Sequence, residues 1–101
     1  MRVVFTPQAE RHLDALHDFI AGRMSEGLAD AYVARIVAFR MGFATFPLRG
    51  QARDDLLPGL RTTGFERRAT IAFVVTKEVV LVEGVFYGGQ DFEARFQDDK
   101  M

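Results

Sequence analysis

Five arginines, Arg49, Arg53, Arg61, Arg67 and Arg68, fall between residues 49 and 68, and Glu83 and Tyr87 follow in an apolar stretch. A guanidinium forks onto a carboxylate or phosphate through paired N–H donors, so this cluster is a candidate contact surface for an anionic group; solvated arginines flanking strands are the plainer reading. Guanidinium, phenol and carboxylate together could in principle serve phosphoryl transfer, which needs a base, cations for the phosphate and an acid for the leaving oxygen. A phenol of ordinary pKa, about 10, is a poor base at neutral pH. Eleven of the 13 basic residues are Arg, only Lys77 and Lys100 are Lys, and 14 acidic residues bring the net charge to −1, so no global field draws the chain onto nucleic acid. A binding surface is expected rather than an active site, with no direct nucleic-acid binding.

Other chemistry is weaker. His12 and His17 lie in one helical stretch, and His17, beside Leu13, Leu16 and Ile20, reads as a helix-boundary residue rather than a general base. The chain has no Cys, which excludes disulfides, thiolate metal sites and a cysteine nucleophile, and suits a reducing cytoplasm. Asp54-Asp55 and Asp98-Asp99 are adjacent pairs that do not converge on a cation without a third ligand. Gly88-Gly89 is followed by neither a long helix nor a phosphate-loop lysine. No metal and no cofactor are expected.

The elements that must position these residues are readable from periodicity. The 101 residues, about half apolar with ten Phe, suffice for one core, and a single domain over residues 1–101 is expected. No secretory h-region opens the chain, and no apolar run, that of residues 79–82 included, is nearly long enough to span a bilayer. Residues 2–5 read as a strand that stops at Thr6-Pro7, a helix cap followed by a proline suited to the first helical position. Ala9, Leu13, Leu16 and Ile20 then fall at helical spacing to near Gly22. Ser25 caps a second, longer helix carrying Leu28, Tyr32, Ile36, Phe39, Phe43 and Phe46 before Pro47 ends it. Residues 47–59 read as a loop, 60–65 as a strand, and the alternation through Val75 and from Val80 to Phe86 as two more. Residues 91–96 could form one helical turn, with 97–101 frayed.

The fold class expected is α+β: an N-terminal strand, an antiparallel helical hairpin, then a three-stranded antiparallel meander, with the helices packed on one sheet face and the other face open. A turn at Lys77-Glu78 sets Val75 against Val80, Phe73 against Val82, Ile71 against Gly84 and Ala69 against Phe86. That register puts Arg68 opposite Tyr87, and Ala72 opposite Glu83, on the open face.

The opening VVFTPQAERHLDALHDFIA, the helix-ending FPLRGQARDDLLPGLR, the strand RRATIAFVV and the ending VEGVFYGGQDFEARF, in this order, resemble the ParE/RelE toxin superfamily, and its ParE branch more closely, over essentially the whole chain. The resemblance implies a cytoplasmic bacterial toxin of a type II toxin–antitoxin pair, neutralised by a small ParD-like antitoxin in a hetero-oligomer. For a ParE-type member it implies inhibition of DNA gyrase by binding. A RelE-type member would be a ribosome-dependent mRNA endoribonuclease, with Arg68 in the place of the family's strand arginine and Tyr87 near its C-terminal His or Tyr. A toxin fold that has lost activity is the third reading. Target contacts are expected at Arg61, Arg67, Arg68 and Tyr87 and in residues 90–96, including Asp91 and Phe92. Antitoxin contacts are expected at Leu16, Phe19, Ile20 and Phe39.

Overall fold

A computed structural model describes residues 2–88, the Arg40 side chain excepted. The order is β1 (Arg2–Phe5), α1 (Pro7–Arg23), α2 (Glu26–Thr45), β2 (Gln51–Ala52), β3 (Leu60–Phe65), β4 (Ala69–Val75) and β5 (Val79–Tyr87). The strands form one sheet in the order β1-β5-β4-β3-β2, antiparallel except for the β1–β5 pair. The expected α+β architecture is therefore present. The two-residue β2, inside the segment read as loop, adds an edge to it.

Local chemistry explains the helix starts. The Thr6 hydroxyl accepts from the Ala9 N–H at 3.1 Å with Pro7 behind it, and the Ser25 hydroxyl accepts from the Leu28 N–H at 3.1 Å. Ala9, Leu13, Leu16 and Ile20 of α1 and Tyr32, Ile36 and Phe43 of α2 are buried against Ile71, Phe73, Val80 and Val82. The two ends of the α2 stripe escape: Leu28 and Phe46 are exposed. The β4–β5 turn has its expected centre at Lys77-Glu78 although neither residue is glycine. Thr76 supplies the closure instead, its hydroxyl accepting from the Glu78 and Val79 N–H groups and its own N–H reaching Val79 O at 2.9 Å.

The register departs from expectation halfway along β5. Val75 opposes Val80 and Phe73 opposes Val82, as the alternation predicts. The pairing then shifts between Ala72 and Phe73, so that Ala72 faces Gly84, Ile71 faces Val85, Thr70 faces Phe86 and Ala69 faces Tyr87. Glu83 is the extra residue of a β-bulge. Four consequences correct the sequence reading: Ile71 does not face Gly84, Ala69 does not face Phe86, Ala72 does not face Glu83, and Arg68 and Tyr87 are not cross-strand partners on the open face. Val85 and Tyr87 instead join the helix-covered face with Val80 and Val82, while Phe86 turns to the other side.

That other face is not wholly open. Phe86 packs there with Leu56, Leu60 and Ala72 in a second, smaller core, to which Leu57 and Val74 add partly buried surface. The 53–59 loop brings Leu56 and Leu57 under the sheet, its shape held by the Asp54 carboxylate accepting from the Gly59 N–H at 2.8 Å and by the Arg53–Asp55 ion pair at 2.9 Å.

The bulge is stitched to the start of α1. Once β1 ends at Phe5, the Thr6 N–H continues the ladder to Val82 O at 3.0 Å, the Gln8 side-chain amide donates to Glu83 O at 3.3 Å, and His12 Nδ1 accepts from the Val85 N–H at 3.0 Å. The His12 ring also meets Phe86 edge-on, with centroids 5.0 Å apart. Gly84 is required in this corner: a Cβ there would stand 2.8 Å from the Phe86 ring and 3.2 Å from that of His12.

Two outcomes follow. Gly84→Ala should lower unfolding free energy by about 1–3 kcal/mol through overpacking, and His12→Ala by a similar amount through the orphaned Val85 N–H, both read by denaturant unfolding. Wild-type stability in either variant would contradict the bulge geometry.

Candidate functional site

The five clustered arginines separate into three that hold loops and two at the β3–β4 turn. Arg61, the first predicted target contact, turns its guanidinium onto the carbonyls of Leu48, Arg49 and Gly50 at 2.9, 3.0 and 3.3 Å and so pins the α2–β2 connection. Arg49 lies over the Phe39 and Phe43 rings, 5.0 and 5.4 Å from their centroids, and Arg53 is paired with Asp55. Arg67 and Arg68 are exposed at the β3–β4 turn, and among the described residues no carboxylate pairs with either.

That turn carries backbone strain. The Arg68 N–H closes it on Phe65 O at 3.2 Å, and both central residues are left-handed, Glu66 at φ 49° and Arg67 at φ 63°. Side chains with a Cβ disfavour this region by roughly 1–2 kcal/mol per residue. Arg35 of α2 holds the turn from outside, its guanidinium donating to both Glu66 oxygens at 2.8 and 3.0 Å. The hydrogen bond from Arg35, supported by its charge, lowers the Glu66 carboxyl below its ordinary 4.5.

Tyr87 arrives beside this turn from the helix side. A run of ring contacts leads to it from the core: Phe73 to Phe43 at 4.6 Å, Phe43 to Phe39 at 5.4 Å, Phe39 to Phe65 at 5.1 Å, Phe65 to Tyr32 at 5.7 Å and Tyr32 to Tyr87 at 5.8 Å. The last ring is Phe19, 5.8 Å beyond Tyr87 and 46% exposed. Such pairs add about 0.5–1.5 kcal/mol each beyond area burial, and they fix where the Tyr87 ring stands. The Tyr32 hydroxyl is buried and has no hydrogen-bond partner among the described residues, and burial, more than the nearby Tyr87 and Glu66, pushes its phenol pKa up.

Between the α1–α2 turn and the β3–β4 turn these groups line a groove of about 510 Å³. Arg68 and Tyr87 both line it, on the helix-covered side rather than on the open sheet face where the expected register placed them. Its rim is apolar where Phe19, Met24 and Leu28 emerge, 46, 72 and 56% exposed, and cationic at Arg23 and Arg68. Arg23 lies over the Phe19 ring at 4.8 Å. A second hollow of about 310 Å³ between α1 and the end of β5 shares Phe19 and Tyr87 with the first.

Glu83, expected on the same open face as Arg68 and Tyr87, does not line the groove. Its carboxyl is pushed up by burial at the bulge, and the carboxylate in the groove is Glu66, already held by Arg35. Of the predicted antitoxin contacts, Phe19 is exposed, Phe39 is partly buried under Arg49, and Leu16 and Ile20 belong to the core. Asp91, Phe92 and the rest of 90–96 lie outside the described residues. Among those described, no group of three His, Cys, Asp or Glu could hold a metal ion, and no helix is long and apolar enough to cross a membrane. Missed by sequence reasoning were Arg23, Met24 and Leu28, whose signal was apolar residues beside a cation at the hairpin turn.

The strained turn generates two expectations. Arg67→Gly should raise stability by up to about 1 kcal/mol in denaturant unfolding, because glycine tolerates φ 63°; destabilisation would contradict the strain. Arg35→Ala should return Glu66 to its ordinary pKa in an NMR titration. Because that pKa is lowered in the folded chain, the stability Arg35 contributes is present above about pH 4.5 and lost as pH falls through the folded value. A wild-type minus variant difference that grew on acidification would contradict the pairing.

Comparison with known proteins agrees with this architecture. Residues 3–92 match the family model described as the ParE toxin of the type II toxin–antitoxin system parDE. A chain in the solved structure of the chromosomal ParDE toxin–antitoxin system from P. aeruginosa superposes with a TM-score of 0.76 at 24% identity, over 87% of this chain and 96% of that one, and at this identity shows the fold alone. No curated sequence matches. With nine-tenths of its length covered by the family model and the strand–hairpin–meander architecture in place, the chain belongs to the ParE toxin family of type II toxin–antitoxin systems.

Proposed function

We propose that the chain inhibits DNA gyrase by binding it, without catalysing a reaction, and that a small ParD-like antitoxin neutralises it in a hetero-oligomer. The observation that carries the binding reading is the groove rim itself: Phe19, Met24 and Leu28 stand exposed beside Arg23 and Arg68, and apolar side chains interleaved with arginine are what protein-binding surfaces use. Gyrase as the target rests on the family resemblance. The chain works as one domain in the cytoplasm, where both partners would meet it.

A RelE-type ribonuclease is the second reading, favoured by the shared position of Arg68 and Tyr87 in one groove. Against it stand the net charge of −1, poorly suited to docking on ribosomal RNA, and a Tyr87 ring packed between Phe19 and Tyr32.

The test is purified toxin in a gyrase supercoiling assay and, in parallel, in a translating extract with the mRNA mapped by primer extension. Loss of supercoiling with intact mRNA is expected; intact supercoiling with codon-dependent cuts would overturn the proposal. Tyr87→Phe keeps the ring and should keep the inhibition, whereas removing a general acid–base group from a ribonuclease would cost roughly 10²-fold or more in rate.

A further inference from the structure

We propose that the chain's own segment 90–96 folds back over the hollow between α1 and the end of β5, with the Phe92 and Phe96 rings seated on Ala15, Leu16 and Val85. The inference concerns the free chain and does not depend on which target or partner the chain meets.

The hollow lies where the sheet edge changes hands. β1 accompanies β5 only as far as Val82, and α1 reaches the strand beyond it through Gln8 and His12. Next to these contacts is the concavity of about 310 Å³, with Leu16, Val85 and Phe86 as its buried lining and Ala15 and Phe19 exposed beside them. Such a lining takes apolar side chains, and the chain that leaves β5 carries them. Gly88 closes the strand, its N–H donating to Arg68 O at 2.7 Å, and at φ 66° it turns the backbone out of the extended course of β5. In the sequence that follows, Phe92 and Phe96 stand four apart, on one face of a helical turn and about 6 Å from each other along its axis. Phe92 is four residues beyond Gly88, a reach of up to about 14 Å, and the hollow is lined by the residues just before that glycine, Phe86 and Tyr87. Asp91 and Glu93 fall about 100° to either side of Phe92 on such a turn, which keeps their carboxylates off the apolar lining.

The tether decides the occupant. A segment attached at the edge of the hollow meets it at an effective concentration in the millimolar range, whereas a second copy arrives only at the concentration of the protein itself. Phe92, expected from the sequence to contact a target, is then spent on the chain's own surface. Phe19 and Tyr87, which line both the hollow and the groove, are held from a second side.

The experiment is nuclear Overhauser spectroscopy on the full chain at low and at high protein concentration, with denaturant unfolding of variants. Contacts from the Phe92 and Phe96 rings to the Ala15 methyl, Leu16 and Val85 are expected at both concentrations. Paired Phe92→Ser and Phe96→Ser should raise the unfolding equilibrium constant roughly tenfold or more, the order set by burying aromatic surface. Ala15→Arg fills the hollow from an exposed helix position and should abolish the ring contacts. In that background the paired serine substitutions should change the unfolding constant by no more than about twofold. The inference is overturned if the wild-type rings make none of these contacts, or make them only at high concentration, which would mark a second copy as the occupant. It is equally overturned if the rings meet the other exposed apolar group, Met41, Phe46 and Leu48, or if the serine pair costs as much with Ala15→Arg as without it.

Discussion

One extra residue in β5 organises the molecule. Upstream of Glu83 the strand is an interior member of the sheet, bonded to β1 on one side and β4 on the other. Downstream β1 has ended, and the first turns of α1 take over its edge through Thr6, Gln8 and His12. The bulge allows this change of partner, because it turns the strand at the point where its edge must meet side chains instead of backbone. It also exchanges the two faces, so that Val85 and Tyr87 continue the main core begun by Val80 and Val82, and Phe86 seeds a second core with Leu56, Leu60 and Ala72.

The groove follows from that exchange. With Tyr87 on the helical side, its ring extends an aromatic path rooted at Phe73 and meets Phe19 in the last turns of α1. The β3–β4 turn, strained at Glu66 and Arg67 and braced by Arg35, brings Arg68 to the same place. Arginine does two separate jobs in this chain: Arg49, Arg53 and Arg61 hold loops by stacking, ion pairing and carbonyl capture, which leaves Arg23 and Arg68 to give the groove its charge.

Periodicity made the helices, the meander and the turn at Lys77-Glu78 legible, because each rests on local spacing or on caps such as Thr6 and Ser25. The bulge was hidden because residues 80–86 satisfy simple alternation almost as well as the true pairing does. Its one local sign is Gly84, an isolated glycine inside a strand. The second core was foreshadowed by Leu56-Leu57 within an otherwise polar loop. His12 gave no such sign: its partner is a backbone N–H 73 positions away. The arginine cluster was visible as a cluster, but which members are spent on carbonyls is a tertiary fact.

The groove therefore depends on where the end of β5 faces. Nuclear Overhauser contacts in the free chain read this directly. Contacts are expected from the Tyr87 ring to the Phe19 and Tyr32 rings, and from the Phe86 ring to Leu56, Leu60 and His12. Contacts from Tyr87 to Leu60, with Phe86 turned towards Tyr32, would mean an unbulged register and no groove, and would contradict the fold described above.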